Sequence, residues 1–349
     1  MSKIHCRKEH TTGRITLTRP EALNALSHAM CAELEQALLA WQHDESVTQI
    51  LIDAEGEKAF CSGGDIASLY HLGIAGKFDE VNAFWREEYR LNSLIHHYPK
   101  PYIAFLQGYV MGGGVGISCH GSHRIVSEST KMAMPECAIG LVPDVGGSYL
   151  LAKAPGYSGH LLGITGYRMN AADSLWAGFA DMFIAQTKWQ EAKTALIEQG
   201  TPDVLDSYAE DAGASALAGW QEDAETLFSD FDPDSLPAKT EGRSDDLARS
   251  ITKALSANAP LSMMAVNKML DRLGPDCSFE QALDMEYRFT SRAMQQAEFI
   301  EGTRAMLIDK DRQPDWRFKT ASAVPAGLVD ELLAPTPYTD IFLNKGDSA

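Results

Sequence analysis

Tyr102-Ile-Ala-Phe-Leu106-Gln-Gly-Tyr-Val-Met111-Gly112-Gly113-Gly114-Val115-Gly116 starts as an apolar run and ends as a glycine cluster. An uninterrupted apolar run between Pro101 and Gly108 reads as a strand buried on both faces. A helical pattern follows the cluster, and His123 to Ser127 reads as the next strand. The same order appears upstream, where Val47 to Ile52 reads as a strand and Phe60-Cys-Ser-Gly-Gly64-Asp65-Ile66 as a glycine turn into a helix capped by Asp65. A long helix is predicted over Phe78 to His97, stopped by Pro99 and Pro101. Nearer the start, Arg14 to Thr18 reads as a strand, and a helix runs from Ser27 through Met30, Leu34, Ala37, Leu38 and Trp41. Such alternation predicts an α/β core of repeated strand and helix units. Strand patterns cease after Ile184; Lys188 to Gln199, Leu247 to Leu273 and Phe279 to Ile308 read as helical, around an acidic, proline-broken stretch at 200–242. The expected division is therefore a core over 1–190 and a helical C-terminal region over 191–349.

Composition narrows the function. The chain has 349 residues, 45% of them hydrophobic, which is enough to bury a sizeable core and excludes an extended disordered protein. Its net charge of −18 repels phosphate backbones and anionic lipid, so neither nucleic acid nor a membrane surface is an expected partner. An anionic small ligand remains compatible, since main-chain amides can hold one locally. The six cysteines form no CxxC pair, and the N-terminus shows no apolar leader; reduced thiols and a cytoplasmic location are expected.

Several chemistries lack their motifs. Gly114-Val-Gly116 is followed by Cys119 rather than a third glycine, and neither GxxxxGK[ST], GxSxG nor HExxH occurs. His120 and His123 lack further residues at ligand spacing, so no metal is expected.

What remains is a set of glycines and acids. Ser62-Gly63-Gly64-Asp65 and Met111 to Gly116 each follow a strand and precede a helix. Glycines there serve either tight strand–helix packing or amides aimed at a ligand oxygen. In Met134-Pro-Glu136-Cys-Ala-Ile-Gly140-Leu-Val-Pro143-Asp144-Val-Gly146-Gly147, two acids directly follow prolines within an apolar stretch. They read either as exposed turn residues or as partly desolvated groups able to move protons near neutral pH. Glu88 falls on the apolar seam of Val81, Phe84, Leu91 and Ile95, where a carboxylate is costly unless paired or functional. Arg86 and Arg90 are its alternative partners at the rim.

These residues, together with Arg19-Pro-Glu-Ala-Leu-Asn24-Ala25-Leu26, Ala59 to Ile66, Phe84-Trp-Arg-Glu-Glu88-Tyr89, Thr165-Gly-Tyr-Arg-Met169 and Phe299 to Trp316, give the chain its resemblance to the crotonase (enoyl-CoA hydratase/isomerase) superfamily. Within it, the chain most resembles the 3-hydroxyisobutyryl-CoA hydrolase group, which acts in valine breakdown. The resemblance implies a crotonase-like (ClpP/crotonase) spiral of ββα units with a helical C-terminal region. It also implies an acyl-CoA substrate, no cofactor beyond the coenzyme A of that substrate, and a homo-oligomer, trimer or hexamer.

By the same resemblance, the Gly64 and Gly113 amides form the oxyanion hole for the thioester carbonyl. Asn24, Ala25 and Leu26 lie along the CoA chain, and Ser62, Asp65 and Ile66 near its nucleotide end. Hydratases of the superfamily use two glutamates. The first corresponds here to Gly116, which has no side chain, and the second to Glu136. The hydrolases instead pair a glutamate matching Glu136 with an aspartate matching Asp144, and Glu88 matches a substrate-contacting glutamate. Glu136 is then the base that activates water, or the nucleophile of an acyl-enzyme anhydride, with Asp144 orienting or relaying the proton. Three rivals stand beside this reading: a hydratase or isomerase on the same scaffold, a thioesterase using Cys61 as nucleophile, and an RNA-binding role, which the acidic charge disfavours.

Overall fold

The computed structural model describes residues 3–336. Among the described residues nine strands occur, in the order β1 (Ile4–Glu9), β2 (Thr12–Leu17), β3 (Gln49–Ala54), β4 (Ala59–Cys61), β5 (Tyr102–Leu106), β6 (Tyr109–Met111), β7 (His123–Val126), β8 (Lys131–Ala133) and β9 (Met182–Phe183). They form a six-stranded sheet ordered β1-β2-β3-β5-β7-β9 and a three-stranded sheet ordered β4-β6-β8. Only the β1–β2 hairpin pairs antiparallel; the other strand pairs of both sheets are parallel.

The helices that position the site are α1 (His28–Gln42), α2 (Ile66–Ile74), α3 (Phe78–His96), α4 (Gly113–Gly116), α5 (Gly147–Lys153), α6 (Ser158–Thr165), α7 (Ala171–Trp176) and α8 (Trp189–Gln199). The chain order is thus a repeat. β3–β4, β5–β6 and β7–β8 each place one strand in the large sheet and the next in the small sheet before a helical segment follows. This is the ββα spiral of the crotonase fold. Among the described residues no strand lies beyond Phe183.

Contacts divide the chain into two compact units whose segments interleave in sequence. A strand-rich unit holds residues up to Asp65, Leu91–Ala133 and Arg168–Ala218; a helix-rich unit holds Ile66–Arg90, Met134–Tyr167 and the chain from Gly219. The change near residue 190 marks where strands end. The units instead follow the spiral: α2, the first part of α3, α5 and α6 fall with the C-terminal helices, whereas α4 stays with β4 and β6.

In the strand-rich unit, every residue of β5 and all but the last of β3 are buried, as the continuous apolar pattern predicts. Leu51, Ile103, Phe105 and Ile125 pack against Trp189, Ala192 and Leu196 of α8. Ser27 caps α1 by accepting the Met30 amide at 3.3 Å. Leu23 and Asn24 both take left-handed backbone conformations, with φ of 51° and 54°. The fully buried Asn24 side chain fixes that turn: its Oδ1 accepts the Arg19 amide at 2.9 Å, and its Nδ2 donates to the Glu55 and Ala59 carbonyls at 3.0 Å each. Asn24→Ala strands these three backbone groups and places alanine at a positive φ. A loss of about 2–4 kcal/mol in urea unfolding is expected.

The C-terminal helices break where the sequence suggested continuity. The span 247–273 is two helices, Asp246–Ala257 and Pro260–Leu273. Pro260 has no N–H for a continuing helix and opens the second one at its first position, while Asn258 Nδ2 donates to the Ile164 carbonyl at 2.8 Å. Likewise 279–308 divides into Phe279–Gln296, Phe299–Thr303 and a π-helical turn at Arg304–Ile308.

Candidate active site

The strand-rich unit gathers Asn24, Ala25, Leu26, Ser62, Gly64, Asp65 and Gly113. Leu26 donates its amide to the Gly63 carbonyl at 2.8 Å and accepts the Asp65 amide at 2.7 Å. These bonds flank Gly64 in a parallel bridge, so the Gly64 N–H lies on the opposite side of the segment, outside the pairing. Gly113 is the first residue of α4, and a first-turn N–H has no acceptor within its own helix.

Two glycines make these segments fit. Gly112, at φ 48° and ψ −119°, takes a conformation open to glycine, and a Cβ on Gly114 would meet the Cys61 carbonyl oxygen at 2.5 Å. A Cβ on Gly63 would lie 3.3 Å from Met111 O and 3.9 Å from Gly113 N, so the two glycine segments run side by side.

The other residues of this set are placed as follows. Arg19 Nη1 pairs with Asp65 Oδ2 at 2.9 Å and donates to the Ala25 carbonyl at 3.1 Å. Asp65, expected as the cap of α2, therefore ties the Asn24 turn to the Gly64 turn. The Asn24 side chain is occupied by backbone groups, which leaves only its main chain to meet a ligand. Ala25, Ser62 and Gly64 are half-buried. Cys61 is fully buried, its Sγ 3.4 Å from the Gly63 amide. Ile66 begins α2 in the helix-rich unit.

The helix-rich unit brings together Glu88, Glu136 and Asp144, all buried. Glu88 lies on the buried face of α3, beside Phe84 and Trp85. Glu136 opens the 3₁₀ turn Glu136–Ile139 directly after Pro135. Asp144 precedes Val145 and Gly146, whose φ angles of 55° and 77° turn the chain into α5.

A fourth carboxyl, Glu286 of the helix Phe279–Gln296, holds that turn. It accepts the Gly146 amide at 2.8 Å, the Ser148 amide at 2.9 Å and the Ser148 hydroxyl at 2.5 Å. Tyr89 donates its phenol proton to Asp144 Oδ2 at 2.9 Å, with Thr290 Oγ1 3.3 Å from the same phenol oxygen. Among the described residues, Glu88 Oε1 and Glu136 Oε2 are buried without a hydrogen-bond partner.

These acids hold their protons far more tightly than ordinary carboxyls. Burial, then the charge of Asp144, pushes Glu88 well above the usual range; burial, then Asp144 and Glu286, does the same to Glu136. Burial raises Asp144 to about 7, against the lowering effect of the Tyr89 hydrogen bond and of its own backbone. Burial also raises Glu286 to about 8, opposed by its bonds from Ser148 and Gly146. Asp144 and Glu286, raised to about 7 and about 8, exchange protons near neutrality, which suits general acid–base work.

Glu286, Ser148, Tyr89 and Thr290 escaped the sequence reading. A signal existed for two of them. Glu286 and Thr290 continue the buried stripe of Phe279, Ala282, Leu283 and Ala293, the kind of polar interruption that marks Glu88 on α3. Tyr89 carried no such signal, since its hydroxyl's partner lies 55 residues away. Among the described residues, no group of three or more His, Cys, Asp or Glu side chains is arranged to hold a metal ion, and no helix is long and apolar enough to cross a membrane.

Comparison with known proteins agrees with this architecture. A family model described as enoyl-CoA hydratase/isomerase matches residues 12–333. A Gallus gallus protein named "3-hydroxyisobutyryl-CoA hydrolase, mitochondrial" is 37% identical over 347 residues, covering 96% of this chain and 90% of its own. An Arabidopsis thaliana protein named "Probable 3-hydroxyisobutyryl-CoA hydrolase 3" is 32% identical over 95% of this chain and 91% of its own. Among solved structures, one described as an enoyl-CoA hydratase from Rhodobacter sphaeroides superposes with a TM-score of 0.92 at 46% identity, covering 97% of this chain and 99% of that one. Another, described as a carnitinyl-CoA dehydratase from Mycobacterium thermoresistibile, gives 0.91 at 34% identity, covering 97% and 98%.

Proposed function

This chain belongs to the enoyl-CoA hydratase/isomerase family, and from that premise we propose that it hydrolyses acyl-CoA thioesters, with 3-hydroxyisobutyryl-CoA as its substrate. The names of the relatives diverge, hydrolase for the curated proteins and hydratase or dehydratase for the two solved structures. The carboxyl set favours the hydrolase. Gly116 closes α4 without a side chain, so the acid that a paired-glutamate hydratase carries there is missing. Glu136 and Asp144, both buried in the helix-rich unit, supply two acids instead, and this pair is the observation that carries the reading.

In the proposed reaction the Gly64 and Gly113 amides polarise the thioester carbonyl. Their hydrogen bonds strengthen as negative charge develops on its oxygen. A water oxygen adds to the carbonyl carbon while the Glu136–Asp144 pair takes one of its protons. The C–S bond then breaks with its electron pair on sulfur, and a proton completes the CoA thiol. The products are 3-hydroxyisobutyrate and CoA. Thiolate is a good leaving group, so acid assistance is a smaller demand than water activation. Glu88, with a carboxyl oxygen that has no hydrogen-bond partner among the described residues, is proposed to bond the substrate's 3-hydroxyl.

Coenzyme A enters and leaves as part of the substrate, and the proposal needs no separate cofactor. A trimeric or hexameric assembly belongs to the same proposal. So does the cytoplasmic location, although the Gallus gallus relative is named mitochondrial.

Thiol release from 3-hydroxyisobutyryl-, 3-hydroxypropionyl- and crotonyl-CoA tests the reading. The two hydroxyacyl thioesters are expected to release CoA, the branched one faster. Crotonyl-CoA is expected to keep its enoyl absorbance. Hydration of crotonyl-CoA without thiol release from any substrate would overturn the hydrolase assignment.

A further inference from the structure

Among the described residues, the main chain takes up the amide nitrogens of two of the three buried asparagines. Asn24 bonds three backbone groups, and Asn258 Nδ2 donates to the Ile164 carbonyl. Asn92 of α3 is the third. It is fully buried, and neither its Oδ1 nor its Nδ2 has a hydrogen-bond partner among the described residues. A buried carboxamide left in that state costs stability, and asparagine is a poor helix former. Leucine would serve both packing and helix better, so neither accounts for the residue.

Glu88 stands four residues earlier on the same helix, and its Oε1 also lacks a partner among the described residues. Side chains at that spacing share one face, with Cβ atoms about 5–6 Å apart. A single oxygen atom between them can reach both at hydrogen-bond distance. A hydroxyl both donates and accepts, which suits a carboxamide N–H beside a carboxyl oxygen; an alkyl group satisfies neither. We propose that Asn92 is a specificity-determining residue: its Nδ2 donates to the 3-hydroxyl of the acyl group while that hydroxyl gives its proton to Glu88 Oε1. This deepens the thioester-hydrolase reading and rests on it.

The surroundings of Asn92 in the strand-rich unit agree. α3 leads into β5 and α4 leads into β7, and these strands are parallel, with Ile103 opposite His123. Both helical segments therefore run toward the same end of the large sheet. There the rings of His96 and His120 meet edge to face, centroids 6.3 Å apart, and Tyr102 donates its phenol proton to the Ile117 carbonyl at 2.8 Å. The helical turn continues past Gly116, since the Ile117 and Cys119 amides donate to the Gly113 and Val115 carbonyls. One turn before the two histidines, Asn92 and Gly116 occupy the same level. Gly116 brings no side chain to it, so the polar group at that level comes from α3 rather than from α4.

Asn92→Leu keeps the size of the side chain and removes both polar atoms. Thiol release from 3-hydroxyisobutyryl-CoA is compared with release from isobutyryl-CoA, the same acyl group without its hydroxyl. The wild type is expected to prefer the hydroxylated thioester by about 10³-fold or more in kcat/KM, as a site does whose polar groups the wrong substrate leaves unpaired. In Asn92→Leu that preference is expected to fall by about 10–100-fold, with kcat/KM for isobutyryl-CoA within a few-fold of wild type. The thermal midpoint of the substrate-free variant is expected to be no lower than wild type, since an unpaired carboxamide gives way to an apolar group.

A merely structural asparagine would behave otherwise, with a lowered midpoint and equal losses on both thioesters; equal losses, or an unchanged preference, overturn the proposal. Should leucine prevent folding, Asn92→Ala carries the same comparison. If the wild type releases thiol from neither thioester, the hydrolase reading fails, and equilibrium binding of the two intact thioesters reads the hydroxyl preference instead. A binding preference that Asn92→Leu abolishes then upholds Asn92 alone, and a binding preference that survives the substitution overturns it.

Discussion

Asp144→Asn and Glu136→Gln are each expected to lower kcat for 3-hydroxyisobutyryl-CoA hydrolysis by about 10²–10⁴-fold, the usual contribution of a positioned acid or base. Both substitutions keep shape and remove the ability to exchange a proton, so KM is expected to change by only a few-fold. The double variant is expected to be little worse than the poorer single variant, since two groups passing one proton act as a unit. Additive losses in the double variant would mean independent roles. If either single variant hydrolyses at near wild-type rates, the paired-acid mechanism is wrong. Stability supplies an internal check: both acids are buried at a cost, so neither amide is expected to lower the thermal midpoint much.

Gly113→Pro is expected to lower kcat by about 10²–10³-fold, the typical consequence of removing one oxyanion donor. The first position of a helix is where proline is best tolerated, because the missing N–H has no partner within the helix. Circular dichroism is therefore expected to stay near wild type while turnover falls. Gly113→Ala, which keeps the N–H, separates loss of the donor from loss of the glycine. Normal turnover in a folded Gly113→Pro protein would remove this amide from the mechanism.

In the large sheet β3 and β5 were legible because they are long enough to show a continuous apolar run, and β2 and β7 were marked more weakly; β9, with two residues, was not legible. β4, β6 and β8 were not: each has three residues and follows a longer strand closely, too short for any period to emerge. The helical span 247–273 looked continuous because its apolar spacing survives across Asn258 and Ala259, and only Pro260 betrays the break. Glu88 was legible from the cost of a charge on an apolar seam. Glu286 carries the same mark, but its meaning depends on the amides of Gly146 and Ser148, some 140 residues earlier. The family resemblance put Asn24 along a CoA chain. Its side chain instead fixes a left-handed turn, which no local pattern at Leu23-Asn24 announces.

The Gly64 and Gly113 amides, proposed above as the donors to a thioester oxygen, have a consequence for how such a molecule can change over generations. A hydrogen-bond donor that belongs to the main chain is written into every codon except those for proline, so almost any substitution that preserves the turn preserves the polarised carbonyl. The acids are different. Each of Glu88, Glu136 and Asp144 is a side chain that a single nucleotide change can delete, and Gly116 is a place where one can be gained. On the proposed mechanism, descendants of one scaffold can therefore inherit the recognition of a thioester oxygen almost indestructibly while exchanging one reaction for another by moving carboxyls. Drift in what the protein does is easier than drift in what it holds.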